Sequence, residues 1–141
     1  MSIKSIIVVT GPLAAGKTTY SNIVARELNI PYVGEIQFGV DTTDPEWSDL
    51  IIAFAENHHT RLVETHLNHG QYDAGDQDFV IGKIEPPSNR LEFHLILPTP
   101  HELFNRYKQR DRYYSIKEAQ RDIEYYQQIV KQLSKVTIIS S

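Results

Sequence analysis

The sequence predicts an α/β protein built on a parallel sheet, and two observations carry that prediction. Short apolar, β-branched runs alternate along the chain with segments of helical spacing, which is the pattern of successive βαβ units. In addition, Gly11-Pro12-Leu13-Ala14-Ala15-Gly16-Lys17-Thr18-Thr19 sets a G-x-x-x-x-G-K-T motif between one such run and a helical segment. Strand, loop and helix in that order is the context in which glycine-rich backbone turns its N–H groups inward on phosphate oxygens.

Taken in order, residues 3–10 form the first strand, since Ile6, Ile7, Val8, Val9 and Thr10 are all β-branched. A helix follows from Lys17 to Leu28, and Asn29 stops it. Residues 30–34 read as a short second strand, with Pro31 tolerable only near its start or on a sheet edge. Asp44 and Pro45 read as N-cap and first residue of a helix through Trp47, Leu50, Ile51 and Phe54, with His58 and His59 at its end. Residues 61–65 are the third strand. Residues 66–90 hold glycines, aspartates, asparagines and the Pro86-Pro87 pair around one β-like run at 79–84, and read as an irregular insertion or hairpin.

Residues 91–97 form the fourth strand. Thr99-Pro100-His101-Glu102 is a capping box with proline at the first helical position. Ser115-Ile116-Lys117-Glu118 is a second capping box, followed by Ile116, Ala119, Ile123, Tyr126, Val130 and Leu133 at helical spacing. Residues 136–139 close the chain as a fifth strand.

A length of 141 residues fits one domain over 1–141 and leaves no room for a multi-domain motor. The formal net charge of −4 argues against a global field that draws the chain to nucleic acid or an anionic membrane. There are no cysteines, which excludes disulfides and thiolate metal sites. No stretch approaches transmembrane length, and the chain reads as cytoplasmic, where ATP is found. The sequence leaves the oligomeric state open.

Ligands of an open parallel sheet bind beyond the carboxyl ends of its strands. The first strand delivers the whole motif, Gly11, Pro12, Leu13, Ala14, Ala15, Gly16, Lys17, Thr18 and Thr19, as a phosphate-binding loop. Lys17 is expected to reach the terminal phosphates and the Thr18 hydroxyl to ligate Mg²⁺. The second strand delivers Glu35, and the third Glu64, Thr65 and His66. Two carboxylates beside a Mg-triphosphate divide two tasks, so Glu64 is assigned to the metal and Glu35 to proton acceptance, with Asp41 and Asp44 as rival bases. His66 is kept as a substrate contact. Arg106, Arg110 and Arg112 follow the Thr99 cap, the first two one helical turn apart, a spacing suited to transition-state charge. Histidines 58, 59, 66 and 69 match no firm zinc spacing. Of the aromatics able to stack on a base, Phe38, Trp47, Phe54 and Tyr72, the second and third sit at helical spacing and read as core.

On these features the chain resembles the P-loop kinases of nucleosides, nucleotides and related metabolites, the deoxynucleoside and thymidylate kinase group. The resemblance rests on the loop, on the acids Glu35 and Glu64, and on Arg106-Tyr107-Lys108-Gln109-Arg110-Asp111-Arg112 followed by Glu124-Tyr125-Tyr126. It implies a three-layer fold with a five-stranded parallel sheet in order 2-3-1-4-5 flanked by helices, an arginine lid over ATP and Mg²⁺, and in-line phosphoryl transfer. The chain departs from that group in reading Glu64-Thr65-His66 where an acid-arginine-serine run is usual, in a reduced segment between the second and third strands, and in lacking a base-reading signature. The leading expectation is an ATP-dependent small-molecule kinase. Two alternatives are a kinase acting on a nucleic-acid end or modified DNA base, and an ATP-binding regulator without a small acceptor.

Overall fold

The computed structural model describes residues 5–69, 81–110 and 115–140. Its elements are β1 (Ile6–Thr10), α1 (Lys17–Leu28), β2 (Val40–Asp41), α2 (Trp47–Asn57), β3 (Leu62–Glu64), β4 (Leu67–Asn68), β5 (Leu91–Ile96), α3 (Pro100–Gln109), α4 (Ile116–Val130) and β6 (Val136–Ile139). Four strands form a parallel sheet in the order β3-β1-β5-β6. β1 lies inside that sheet with every residue buried, which is why its sequence is continuously apolar rather than alternating. β6 is an edge strand and is only half-buried.

Helices cover both faces of the sheet. Ile6 and Val8 of β1 pack with Trp47 and Ile51 of α2 and with Tyr126 and Ile129 of α4. Ile7 and Val9 point the other way, against Val24 and Ala25 of α1, as period-two alternation requires. A third cluster joins α3 and α4 through Leu103, Tyr107, Ala119 and Ile123, and it includes Ala14 of the loop after β1. Both expected N-caps form: the Glu102 amide donates to Thr99 Oγ1 at 3.2 Å and the Glu118 amide to Ser115 Oγ at 3.1 Å.

The five-stranded order does not form, because residues 30–34 are not a strand. That segment follows β3 with a single parallel bridge between Glu35 and Glu64. Pro31 has no N–H to give a ladder, and Gly34 at φ 90° turns the backbone out of extended geometry. Residues 81–84 are not a strand either. The amide of Ile84 donates to Gln132 Oε1 at 2.8 Å, and Gln132 Nε2 donates to the Gly82 carbonyl at 2.9 Å, so helix side chains take the place of a strand partner. Residues 79 and 80 lie outside the described residues. A small parallel pair, β2 with β4, stands beside the main sheet. The helix expected from Asp44 opens at Trp47, because Asp44 is spent on a turn: its Oδ1 accepts from the Glu46 amide at 2.9 Å and its carbonyl from the Trp47 amide at 3.1 Å.

Among the described residues, no helix is long and apolar enough to cross a membrane.

Candidate functional site

The loop of residues 11–16 leaves β1 at its carboxyl end and turns into α1 through Gly16, whose φ of 100° suits a residue without Cβ. Gly11 is constrained more severely. A Cβ there would lie 2.4 Å from the Ile96 carbonyl oxygen, so the loop crosses the end of β5 with backbone alone. The first bond of α1 runs from the Tyr20 amide to the Gly16 carbonyl at 3.0 Å, which leaves the amides of the preceding turn without intrahelical partners. Gly16 at the N-cap has no side chain to cap them. They and the helix dipole make this the electropositive end of α1.

Lys17 is buried with its ammonium folded back on the loop, donating to the Gly11 and Pro12 carbonyls at 3.1 and 2.9 Å. Burial pulls its pKa down to about 8, Arg110 pushes the same way, and the carboxylates of Glu35 and Glu64 hold it up. Thr18 Oγ1 donates to Glu64 Oε1 at 2.9 Å. Glu64 is buried at the end of β3, and its other oxygen, Oε2, accepts from the Tyr32 hydroxyl at 2.7 Å.

Glu35 reaches the same place through its bridge to Glu64, and its Oε2 lies 3.9 Å from His66 Nε2. That contact is not an ion pair at neutral pH, since burial and the nearby Lys17 ammonium push the His66 pKa down to about 4. Lys17, Thr18, Glu35, Glu64, His66 and Arg110 therefore line one polar cavity of about 120 Å³. Asp41 and Asp44 do not line it. Asp41 Oδ1 accepts from the amide and hydroxyl of Thr43 at 2.9 and 2.8 Å, so both rival carboxylates serve local turns.

The arginines divide. Arg106 donates to the Ala15 carbonyl at 2.6 Å and lines a second, larger groove of about 430 Å³ on the outer side of the loop. Arg110 lines both spaces. Arg112 lies outside the described residues, as does Tyr72. The larger groove has an apolar floor of Ile23, Ile96 and Ile139, with Tyr20 on its wall. Trp47 is in the core, fully buried, whereas Phe38 is 87% exposed at φ 67° with its carbonyl held by Asn68 Nδ2 at 2.8 Å.

The oxygens of Thr18 and Glu64 are the hard donor type that Mg²⁺ takes, and they already lie in contact. Among the described residues no group of three or more histidines and carboxylates forms a complete metal cage. Thr18 and Glu64 are thus two oxygen donors that could hold such a cation, short of a full coordination shell.

Two arrangements escaped the sequence reading. Tyr32 carries no periodic or motif signal, and only folding brings it to Glu64. Tyr20, His94 and Glu92 form a chain in which His94 Nε2 donates to Glu92 Oε1 at 3.1 Å and His94 Nδ1 shares a hydrogen bond with the Tyr20 hydroxyl at 2.6 Å. The i, i+2 spacing of Glu92 and His94 on one strand face was the available signal for the second.

No family model matches the chain, and a search of curated proteins finds no match.

Proposed function

We propose that the protein is a small ATP-dependent kinase that transfers the γ-phosphoryl group of ATP to a hydroxyl or phosphate of a nucleoside, nucleotide or related metabolite. One observation carries the reading: the ammonium of Lys17, the Thr18–Glu64 pair, Glu35 and Arg110 face a single small cavity at the uncapped start of α1. A space of about 120 Å³ with that lining suits phosphate groups rather than a whole metabolite.

In this reading the loop amides and Lys17 bind the β- and γ-phosphates, and Lys17 exchanges its bonds to the Gly11 and Pro12 carbonyls for phosphate oxygens. Thr18 and Glu64 would hold Mg²⁺, which would supply charge neutralisation to the triphosphate. Arg110 reaches over the cavity to the charge that develops on the transferred group. Arg106 fixes α3 to the loop and offers a guanidinium plane to a base in the larger groove. Glu35 takes the acceptor's proton, and the neutral imidazole of His66 contacts the acceptor.

A nucleic-acid acceptor is the second reading, and Phe38 favours it. A bare ring held at positive φ, two residues before the strand that pairs beside His66, presents a stacking face to a base whose bulk stays in solvent.

The test is to incubate the protein with γ-labelled ATP and Mg²⁺ and to offer, separately, nucleosides, nucleotides, sugars and DNA ends. Label transfer to a small acceptor that disappears in Lys17→Ala supports the kinase. Transfer to oligonucleotides alone selects the second reading. Tight ATP binding with label passing only slowly to water would replace both with an ATP-binding regulator.

A further inference from the structure

We infer that Tyr32 is a positioning residue for Glu64, holding that carboxylate in the orientation in which its Oε1 and the Thr18 hydroxyl receive a divalent cation together. The inference rests on the kinase reading above and adds to it a residue that no motif supplies.

Tyr32 belongs to the segment that takes the place of the missing strand, and that segment is fixed at both ends along β3. The Pro31 carbonyl accepts from Thr60 Oγ1 at 3.0 Å, and the Ile36 amide donates to the Glu64 carbonyl at 2.9 Å. The reach of the phenol is therefore set by backbone anchored on either side of it. Its hydroxyl donates to Glu64 Oε2 at 2.7 Å while Thr18 donates to Oε1 at 2.9 Å, so each carboxylate oxygen has its own hydroxyl.

The carboxylate torsion of a glutamate is broad, and without a second partner its plane turns freely. A buried carboxylate also needs its lone pairs filled, and Glu64 is 2% exposed. When a cation takes the Oε1 side, the Tyr32 bond keeps the plane of the carboxylate fixed. Partners of this outer kind contribute about 10–100-fold to metal affinity.

The test uses the full chain with ATP and Mn²⁺ as the spectroscopic probe, comparing wild type, Tyr32→Phe and, as reference, Glu64→Gln. Free Mn²⁺ is measured by electron paramagnetic resonance in the presence of ATP, ATP affinity is measured separately in chelator, and thermal unfolding is followed for each variant. The expected result is Mn²⁺ affinity about tenfold weaker in Tyr32→Phe, with metal-free ATP affinity unchanged and a modest fall in unfolding temperature from the hydroxyl that Glu64 loses. Unchanged Mn²⁺ affinity in Tyr32→Phe alongside a loss in Glu64→Gln overturns the role of Tyr32 and leaves the kinase reading standing. Equal weakening of Mn²⁺ and metal-free ATP binding assigns Tyr32 to structure alone. A wild-type protein that binds no Mn²⁺ with ATP removes both the inference and the reading beneath it.

Discussion

Arg106 donates its guanidinium N–H to the carbonyl oxygen of Ala15 at 2.6 Å, tying helix α3 to the loop that precedes α1. Arg110, one helical turn further along, instead lines the cavity that holds Lys17. Two arginines of one cluster are thus set to different tasks by a shift of four residues.

This division separates their mutants. Arg110→Ala is expected to lower the rate of phosphoryl transfer about 100-fold with ATP affinity little changed, as for removal of one donor aimed at developing charge. Arg106→Ala removes a charge-assisted bond worth about 1.5–3 kcal/mol, loosening the loop and weakening ATP binding about tenfold or more. Steady-state kinetics with direct ATP titration read the two effects apart, and equal profiles for both variants would contradict the division.

On the proposed reading, the buried ammonium of Lys17 is expected to give ATP binding a pH dependence. Its pKa is lowered to about 8 by burial, and phosphate oxygens stabilise the charged form, so the bound state has the higher pKa. Binding then takes up a proton above pH 8, and affinity falls as pH rises, approaching about tenfold per unit. Lys17→Arg, permanently charged, is expected to flatten this slope between pH 8 and 9.5. Calorimetric titration across that range checks it, and a flat wild-type profile is the contrary result.

His66 makes stability fall in acid. Its folded pKa of about 4 lies below the ordinary 6.5, so its contribution is complete above pH 6.5 and is lost as pH falls through 4. By pH 5 the loss from this group is about 2 kcal/mol. His66→Asn is expected to reduce the difference in urea unfolding free energy between pH 7 and pH 5 by about that amount. An unchanged difference would show that His66 does not stay neutral in the folded protein.

Trp47 anchors α2 against the sheet. It is fully buried, packs against Phe93 at 6.0 Å between ring centroids, and its Nε1 donates to the Glu85 carbonyl at 2.9 Å. Trp47→Phe leaves that carbonyl without its indole donor, at a cost of about 1–3 kcal/mol, and Trp47→Ala costs about 3–5 kcal/mol. Denaturant unfolding followed by circular dichroism measures both; losses under 1 kcal/mol would place the ring outside the core.

The amino-acid sequence by itself determined what depends on near neighbours. β1 is a run of β-branched residues, α1 begins at Lys17 and ends at Asn29 in the left-handed conformation, and Thr99 and Ser115 cap their helices through bonds three residues long. The gathering of Glu64 and His66 beside Lys17 was also legible, because β3 runs parallel to β1, whereas Glu35 reaches them through a single bridge rather than a sheet strand.

Tertiary structure decided what depends on competition among distant partners. The segment 30–34 has a strand's apolar composition, yet Pro31 and Gly34 forbid a ladder and a single bridge remains. Asp44 has a cap's side chain, which a turn consumes first. Residues 81–84 have a strand's pattern, and Gln132 on α4 takes their backbone bonds. Arg106 and Arg110 are indistinguishable in sequence, and the bonds of Arg106 to the Ala14 and Ala15 carbonyls separate them. Each outcome was set by where a hydrogen bond found its partner across the fold, and local pattern holds no record of that.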